Sequence, residues 1–329
     1  MSAELEHHYH DFAGVTGGIA EIYLYEARFD DALVLLNAGV LALVERDSEA
    51  TDWARLQIQR ARIMRYKGYC HHDPTLYDQA LTILSSVMSV AEASGDKALL
   101  ADALDLTGLA LQSKEPNLDS SLARRLGYFE QALELRQVSN DARGMAESHF
   151  HIGLVYQNKR TATDDDRQNA LASFQKAYEL AMEGGFRFEQ AHAARHLAYA
   201  YDKQGERDRA YAYHKEFLET NEKLGFKPYL SPANVMVGLA HLKRGELGEA
   251  AGYFRTAYGL GSEIDSKPFL ADACLMLGVT AAAQDDKKGA LKRLEEALSF
   301  ARPIEHTRII NAASREIVKL EREGEEIDQ

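Results

Sequence analysis

Two histidines, His192 and His196, are spaced more suitably for metal binding than any other residues of this chain. Side chains four residues apart lie on one face of a helix, which is the arrangement that two imidazoles need to bind one zinc ion. The intervening Arg195 would repel a cation, and the pair lacks the glutamate that metalloprotease motifs place between such histidines. We therefore interpret both histidines as packing and binding-surface residues. A metal protein or an enzyme is the least favoured alternative.

Three further clusters contain ligand-type residues, but their spacing does not fit a known site. Residues 70–73 are Cys-His-His-Asp, and four adjacent residues cannot all face one ion, since zinc ligands are separated along the chain. Residues 164–166 are aspartates without the alternating ligands of a calcium loop, so we expect them to cap the next helix. The histidines within residues 7–10 lie in a polar leader. No metal, cofactor or catalytic set is predicted.

The charge balance narrows the class of partner. The 329 residues include 38 Lys and Arg against 51 Asp and Glu, which gives a formal net charge of −13. This excess repels phosphate groups, so we predict neither nucleic-acid binding nor attachment to an anionic membrane. The sequence lacks a secretory signal pattern and an apolar run long enough to span a bilayer. Cys70 and Cys274 are expected to be reduced thiols, which favours a cytoplasmic location.

A repeated layout of small and large residues supplies the elements that would position any site. Two helices can approach closely only where a side chain is nearly absent, and a period of this length is typical of helical repeat proteins. Small residues expected in the middle of a first helix recur at intervals of 40 to 47 residues: Ala20, Ala61, Gly108, Gly153, Ala198, Gly238 and Gly278. A second series stands near the start of the following helix, and its residues are also small except for Arg125. This series is Ala32, Ala80, Arg125, Ala170, Ala210, Ala250 and Ala290.

Large residues one turn after the second series are expected to fill the gap between paired helices. His214 stands in this place in the fifth unit, and the other units have Leu36, Leu84, Phe129, Phe174, Phe254 and Leu294. Glycines between the predicted helices indicate tight turns, because glycine readily adopts a left-handed backbone at a helix end. These glycines are Gly68, Gly205 and Gly245.

The repeated residues resemble the tetratricopeptide repeat, in which a tyrosine follows the mid-helix glycine by three residues and alanine precedes phenylalanine by four. Gly153–Tyr156 with Ala170–Phe174 matches both halves, although the repeat tryptophan and closing proline are missing. The resemblance covers about residues 12–300. It implies an all-α, right-handed solenoid of about seven helix pairs, in a single domain of residues 1–329 with a capping helix at about 306–323. The long units are similar to sensor and adaptor arrays of bacterial signalling proteins.

The resemblance also implies which residues line the groove. In this family the first helix of each pair faces the groove with the side chains six and three before its central small residue, and one and four after it. The candidate binding residues at these positions are Arg55, Arg62, Arg65, Asp102, Asp105, Gln112, Glu147, Phe150, Gln157, His192, Arg195, Tyr199, Asp202, Leu239 and Leu242.

The candidate residues change from charged to apolar along the chain. Arg62 and Arg65 suit carboxylates or phosphates, because a guanidinium is a planar and permanently charged fork. The leucines of the sixth unit suit apolar side chains, so a peptide of mixed character with an acidic end fits this gradient. In the alternative, the arginines pair with Asp102 or Asp105 on the neighbouring helix. The leucines would then pack the capping helix or a second copy of the chain.

The predicted function is a non-enzymatic scaffold or adaptor that binds a protein or peptide segment in the groove. Adaptors that grip a C-terminal carboxylate use a lysine where this chain has Ile58, Asp105 and Phe150, so binding of chaperone tails is not expected. The first alternative is a peptide-sensing regulator that changes its superhelix. It would be similar to the bacterial peptide-pheromone regulators without their DNA-binding helix-turn-helix. A homodimer is compatible with the apolar end of the groove.

Overall fold

A computed structural model describes residues 3–44, 50–115 and 121–325. Within these ranges the chain is all-α, with a short 3-10 turn at Arg302–Ile304 and no strand. None of the described helices combines the length and the apolar character needed to cross a membrane. The helices are α1 (Ala3–Tyr25), α2 (Phe29–Leu43), α3 (Ala50–His71), α4 (Thr75–Ser94), α5 (Lys97–Lys114), α6 (Leu122–Ser139), α7 (Ala142–Gln157), α8 (Asp164–Gly184), α9 (Arg187–Lys203), α10 (Arg207–Leu224), α11 (Lys227–Lys243), α12 (Leu247–Glu263), α13 (Lys267–Ala283), α14 (Lys287–Ala301) and α15 (Thr307–Glu325).

The helices form two compact units. The first unit comprises Met1–Tyr69 and Asp73–Glu206, and the second comprises Cys70–His72 and Arg207–Gln329. Odd-numbered helices from α1 to α13 contain the first series of small residues, and even-numbered helices contain the second. The predicted all-α repeat of seven helix pairs is confirmed. The single-domain organisation stays a prediction.

Small residues in the first helices face large apolar residues in the second helices, as the repeat predicted. A Cβ atom on three of the central glycines would lie 2.6 Å from a ring carbon, closer than any real Cβ contact. The same approach to a leucine occurs in the seventh pair at 2.7 Å. The described pairs are Gly108–Phe129, Gly153–Phe174, Gly238–Phe254 and Gly278–Leu294. These contacts set how closely the two helices of each pair approach.

One sequence prediction about local structure is wrong, because tertiary packing extends a helix beyond its local signal. Gly68 does not form a turn but lies inside α3, where a Cβ would meet the ring of Tyr77. The polar leader is also helical, since α1 begins at Ala3. The other two predicted turns are correct, with φ of +83° at Gly205 and +77° at Gly245.

The capping helix α15 closes the second unit. Ile309, Ala313 and Leu320 are buried and pack with residues of α13 and α14, as the predicted apolar stripe requires. The helix ends at Glu325, two residues beyond the predicted boundary. The predicted fraying of the last residues falls on 326–329, outside the described residues.

The aspartates at 164–166 cap α8, as predicted. Thr163 Oγ1 accepts a hydrogen bond from the Asp166 backbone N–H at 3.1 Å, and the Thr163 N–H donates to Asp166 Oδ2 at 2.9 Å. Lys159 Nζ lies 2.9 Å from Asp166 Oδ1. This reciprocal pair satisfies backbone groups that a helix start leaves open.

Protonation of Asp166 is expected to destabilise the start of α8. The hydrogen bond from the Thr163 backbone, followed by Lys159, lowers the pKa of the Asp166 carboxyl from 3.8 to about 2. Because the folded-state pKa is depressed, its stabilisation is complete above about pH 4 and is lost as the pH falls towards 2. In thermal unfolding across this window, the Tm of the wild type should fall more steeply than that of Asp166→Asn. The exposed Asp164→Asn variant should keep the wild-type slope, and parallel slopes for all three proteins would contradict this assignment.

Candidate functional site

The first helices of successive pairs lie side by side. In the first unit α7 contacts both α5 and α9, and in the second unit α11 contacts α13. We define the inner wall as the predicted groove positions of α3, α5, α7 and α9, all in the first unit. It comprises Arg55, Arg62, Arg65, Asp102, Asp105, Gln112, Glu147, Phe150, Gln157, His192, Arg195, Tyr199 and Asp202.

A buried arginine that sequence reasoning missed, Arg136 of α6, organises the acidic part of the inner wall. Its side chain is only 2% exposed. Nη2 donates to Asp102 Oδ1 at 2.9 Å and to Glu147 Oε2 at 3.2 Å. Nη1 donates to Ser148 Oγ at 2.8 Å and to the Gly144 carbonyl at 3.0 Å. One guanidinium therefore links a carboxylate of α5 to a carboxylate of α7.

Asp105 is the buried carboxylate of this network. Its Oδ1 lies 3.3 Å from Arg136 Nη1, and its Oδ2 lies 2.7 Å from His151 Nδ1. Burial opposes its ionisation most strongly, but His151 and Arg136 outweigh that effect, so the pKa of Asp105 lies below its ordinary value. Asp105 is thus an ionised structural group whose two oxygens are both engaged.

Glu147 lies where the acidic network meets the arginines of α3. Burial raises the pKa of its carboxyl, and the charges of Arg136 and Arg62 oppose that rise. The side chain nevertheless keeps 28% of its surface exposed. Glu147 and Asp102, whose side chain is 45% exposed, are therefore the network's more accessible carboxylates.

The acidic residues of α5 have a partner that the self-pairing alternative did not consider. Asp102 and Asp105 are both held by Arg136. The physical reason is that Arg136 enters from the second helix of the same pair, between α5 and α7.

The fold accommodates Arg136 because the large and the small residue of one packed pair are interchanged in this repeat. In five of the other repeats a smaller buried residue near the end of the second helix is followed eight positions later by a large buried residue of the next helix: Ala91–Leu99, Ala181–Glu189, Asn221–Tyr229, Gly261–Phe269 and Ala301–Ile309. The first repeat has the buried Leu43 at the earlier position. In the third repeat the order is reversed, because the large residue is Arg136 and the small one is Gly144. A Cβ on Gly144 would lie 2.5 Å from Arg136 Nε. An alignment of the last turns of the second helices would have revealed this exchange.

His192 and His196 belong to an aromatic cluster around Phe150. The ring centroid of Phe150 lies 5.4 Å from that of His192 and 5.2 Å from that of His196, both edge-on. His196 Nδ1 lies 2.6 Å from Gln157 Oε1, and because an amide oxygen can only accept, Nδ1 donates. The sequence prediction that these histidines serve packing fits this environment.

Both histidines of this cluster are held neutral. Burial is the main cause and Arg195 the second, and together they lower the pKa of His192 and of His196 well below the ordinary value. Within the described ranges no group of three His, Cys, Asp or Glu side chains is arranged to hold a metal ion. The two imidazoles therefore present uncharged, partly polar surface beside charged neighbours.

Three candidate residues of the inner wall lie too deep to contact a ligand directly. Asp105 is 4% exposed, Phe150 is 7% exposed and Gln112 is 8% exposed. Phe150 also approaches Phe174 of α8, with 5.9 Å between ring centroids. These side chains point between helices because neighbouring first helices pack closely, and the family positions did not distinguish depth.

Two of the candidate arginines act on the aromatic cluster and the third acts on the acidic network. Arg65 and Arg195 both act electrostatically on His192, and Arg62 acts on Glu147. All three arginines are half-buried.

The remaining polar candidates have different surroundings. Arg55 is bound by Asp52 at 3.1 Å and by Asp96 at 3.0 Å, so it does not join the other arginines. Tyr199 is 46% exposed, and Lys203 Nζ lies 4.7 Å from its ring centroid. Asp202 is half-buried on the same helix. Tyr199 supplies an accessible aromatic surface next to the arginines.

The end of α1 approaches the start of α9. The ring centroids of Tyr25 and Phe188 lie 6.4 Å apart, and Arg62 and Arg143 both act electrostatically on Tyr25. Aromatic side chains from two different repeats therefore meet here.

The predicted apolar candidates lie in the second unit. Leu239 and Leu242 are half-buried and pack against a buried cluster that includes Val235 and Phe254. Part of their surface is therefore used by the core of their own unit. This packing role was not among the sequence-based alternatives, which named the capping helix or a second copy of the chain.

Comparison with known proteins agrees with the architecture. A tetratricopeptide-repeat family model matches residues 193–228. No curated protein sequence matches the chain. The chain thus contains a tetratricopeptide repeat and folds as a tetratricopeptide-type α-solenoid, which confirms the resemblance in the sequence.

Solved structures with a similar fold come from several sources. The signal transduction ATPase with a tetratricopeptide repeat sensor, PH0952 from Pyrococcus horikoshii, gives a TM-score of 0.59 at 15% identity over 93% of this chain and 47% of that chain. A Rap protein complexed with Competence and Sporulation Factor gives 0.57 at 13% identity over 95% and 98% of the respective chains. BtubC from P. vanneervenii gives 0.57 at 15% identity over 70% and 92%. At these identities the likeness shows the fold.

Proposed function

We propose that this protein is a non-enzymatic adaptor that binds an acidic, extended segment of a protein or peptide on the inner wall. Arg62, Arg65 and Arg195 would contact the carboxylates of the segment. The observation that carries the proposal is that Arg65 and Arg195 both act electrostatically on His192, while Arg136 engages the aspartates of α5.

The electrostatics of the inner wall support an anionic ligand. The chain has a net charge of −13, so a positive region within it stands out against its surroundings. Glu147 is shared between Arg136 and Arg62, so the charge of one carboxylate is set against two guanidinium groups. Guanidinium groups bind carboxylates through paired hydrogen bonds, and partial burial strengthens such contacts. The net negative charge also argues against nucleic acid as the partner and is compatible with a cytoplasmic protein.

The neutral aromatic cluster supports a peptide rather than a simple ion. Tyr199 and His192 would offer flat surfaces for apolar side chains next to the arginines. In the Rap structure, a solenoid of similar fold holds Competence and Sporulation Factor.

A binding role also suits the state of the titratable groups. His192 and His196 are neutral and packed against Phe150, and Asp105 is locked between Arg136 and His151. Groups held this firmly position a surface, whereas a general acid or base must exchange a proton with substrate. The wall is therefore better suited to recognition than to proton transfer.

Panning of a random-peptide phage library on the purified protein tests this proposal. Wild type should enrich peptides rich in Asp and Glu, because the arginines attract carboxylates. The Arg62→Glu, Arg65→Glu, Arg195→Glu variant should lose these peptides. A control with the same change in net charge replaces the exposed Arg124, Arg207 and Arg255 by Glu.

The control protein should enrich the same acidic peptides as wild type. Enrichment of neutral or basic sequences by wild type would contradict the proposal. Retention of the acidic peptides by the inner-wall variant would contradict it equally. Far-UV circular dichroism of each protein checks that the solenoid is folded.

A further inference from the structure

The first helix presents an apolar stripe to solvent. Phe12, Val15, Ile19 and Ile22 of α1 are 40%, 62%, 38% and 58% exposed. Their spacing of three, four and three residues places them on one face, as in helices that pack against another helix. Adjoining exposed apolar side chains of this kind mark an interaction surface. This stripe therefore needs a partner.

Later repeats show what kind of element covers these positions. Val15 stands five residues before the central small residue of α1, and the equivalent position is buried in every later repeat: Leu56, Ala103, Ser148, Ala193, Ala233 and Ala273. The position is thus designed for burial in this fold. Only in α1 does it face solvent.

The covering element in later repeats is the second helix of the preceding pair. Leu56 of α3 lies against Gly39 of α2, where a Cβ would be 3.0 Å from its Cδ1. Ser148 of α7 accepts a hydrogen bond from Arg136 of α6 at 2.8 Å. The stripe on α1 is consequently shaped to receive a helix.

The stripe is continued by polar residues of complementary type at its two ends. His8 precedes Phe12 by one turn, and Glu26 follows Ile22 by one turn. At about 100° per residue, both lie on the line of the stripe. Both side chains are exposed. Arg28 contacts Glu26 at 3.4 Å but holds Asp31 more closely at 2.7 Å, so Glu26 keeps accessible surface.

The order of these residues is self-complementary. Residue 17 lies midway between Phe12 and Ile22, between Val15 and Ile19, and between His8 and Glu26. An antiparallel copy of the same helix, centred on residue 17, therefore brings each member of these pairs against the other. Both ends would then join an imidazole N–H to a carboxylate. Such a match is what a two-fold symmetric interface requires.

We propose that the stripe is the interface of a homodimer in which α1 packs antiparallel against α1 of a second copy. The apolar residues form its centre, and His8 of each copy contacts Glu26 of the other. The proposal is independent of ligand binding on the inner wall, since it uses a different face of a different helix. The contact is small, so the dimer should dissociate on dilution.

Sedimentation equilibrium of the full chain over a range of concentrations tests the dimer. Wild type should approach twice the monomer mass of 36.7 kDa as concentration rises. Val15→Glu should raise the dissociation constant of the dimer about 100-fold or more, because it places like charges at the centre of the interface. The control Val138→Glu removes an equally exposed valine from α6 and should leave the dimer unchanged.

A charge exchange tests the antiparallel arrangement. His8→Glu alone should weaken the dimer about tenfold, since two carboxylates then meet at each end, and Glu26→His alone should also weaken it. The double variant, His8→Glu with Glu26→His, restores both pairs across the interface and should recover wild-type affinity. Recovery by the double variant is not expected for any other partner of this face.

Three results would overturn the proposal. The first is a wild-type chain that stays monomeric at every concentration, whether or not another protein covers the stripe. The second is a dimer that survives Val15→Glu. The third is a dimer that the charge exchange fails to restore. Circular dichroism confirms that each variant is folded before its mass is measured.

Discussion

Replacement of Arg136 by alanine is expected to lower the free energy of unfolding of the first unit by about 3–5 kcal/mol. Arg136 is 2% exposed and binds Asp102, Glu147, Ser148 and the Gly144 carbonyl. Its removal leaves buried acceptors without a donor and a cavity between α5 and α7. Breaking a buried ion pair costs more than the pair contributes, because the remaining charge stays desolvated.

Urea unfolding followed by tryptophan fluorescence measures this effect, since Trp53 in α3 is the single tryptophan and reports on the first unit. The Arg136→Lys variant should have an intermediate free energy of unfolding, because an ammonium group keeps the charge but lacks the planar, paired N–H donors of a guanidinium group. Arg167→Ala removes an exposed pair with Asp164 and should cost about 1 kcal/mol or less. A loss below 1 kcal/mol for Arg136→Ala would contradict the structural role assigned to this arginine.

Replacement of Gly153 by valine is expected to cost about 3 kcal/mol in the same measurement. A Cβ at this position would lie 2.6 Å from Cε1 of Phe174, which is fully buried. The ring cannot move away without disturbing the pair of α7 and α8. Overpacking of this kind forces side chains out of their preferred rotamers.

Two further variants separate overpacking from helix propensity. Gly127 of α6 has nothing within 4 Å of its Cβ position, so Gly127→Val should be close to neutral. The double variant Gly153→Ala with Phe174→Leu has the same pair of residues as the second repeat, Ala61 and Leu84. It should therefore recover most of the stability that the single variant Gly153→Ala loses. Equal costs for valine at both glycines would contradict the proposed packing.

The architecture was predictable because each helix pair repeats the same local contact. The contact of Gly153 with Phe174 depends on two residues at fixed positions, and the same types of pair recur in every unit except the fifth, which has His214. A periodic pattern of this kind can be recognised in the sequence without knowledge of the tertiary structure. The turn at Gly68 failed for the opposite reason. A single glycine resembles a turn in sequence, but Tyr77 packs over it and α3 continues.

The candidate site was predictable only in outline. Family positions selected Arg62, Arg65 and Arg195, of which Arg65 and Arg195 act electrostatically on His192 and Arg62 acts on Glu147. They could not show that Phe150 is buried, because depth depends on how neighbouring helices pack. They also missed Arg136, since a second-helix residue reaches the wall only through the size exchange with Gly144.

The affinity of the inner wall for an acidic peptide tests the central claim most directly. Fluorescence anisotropy of a labelled peptide enriched by panning should give saturable binding to wild type. The dissociation constant should rise about 100-fold or more in the Arg62→Glu, Arg65→Glu, Arg195→Glu variant. It should change by about threefold or less in the control variant at Arg124, Arg207 and Arg255, because solvent and salt screen exposed charges. Equal affinities of wild type and the inner-wall variant would contradict the account.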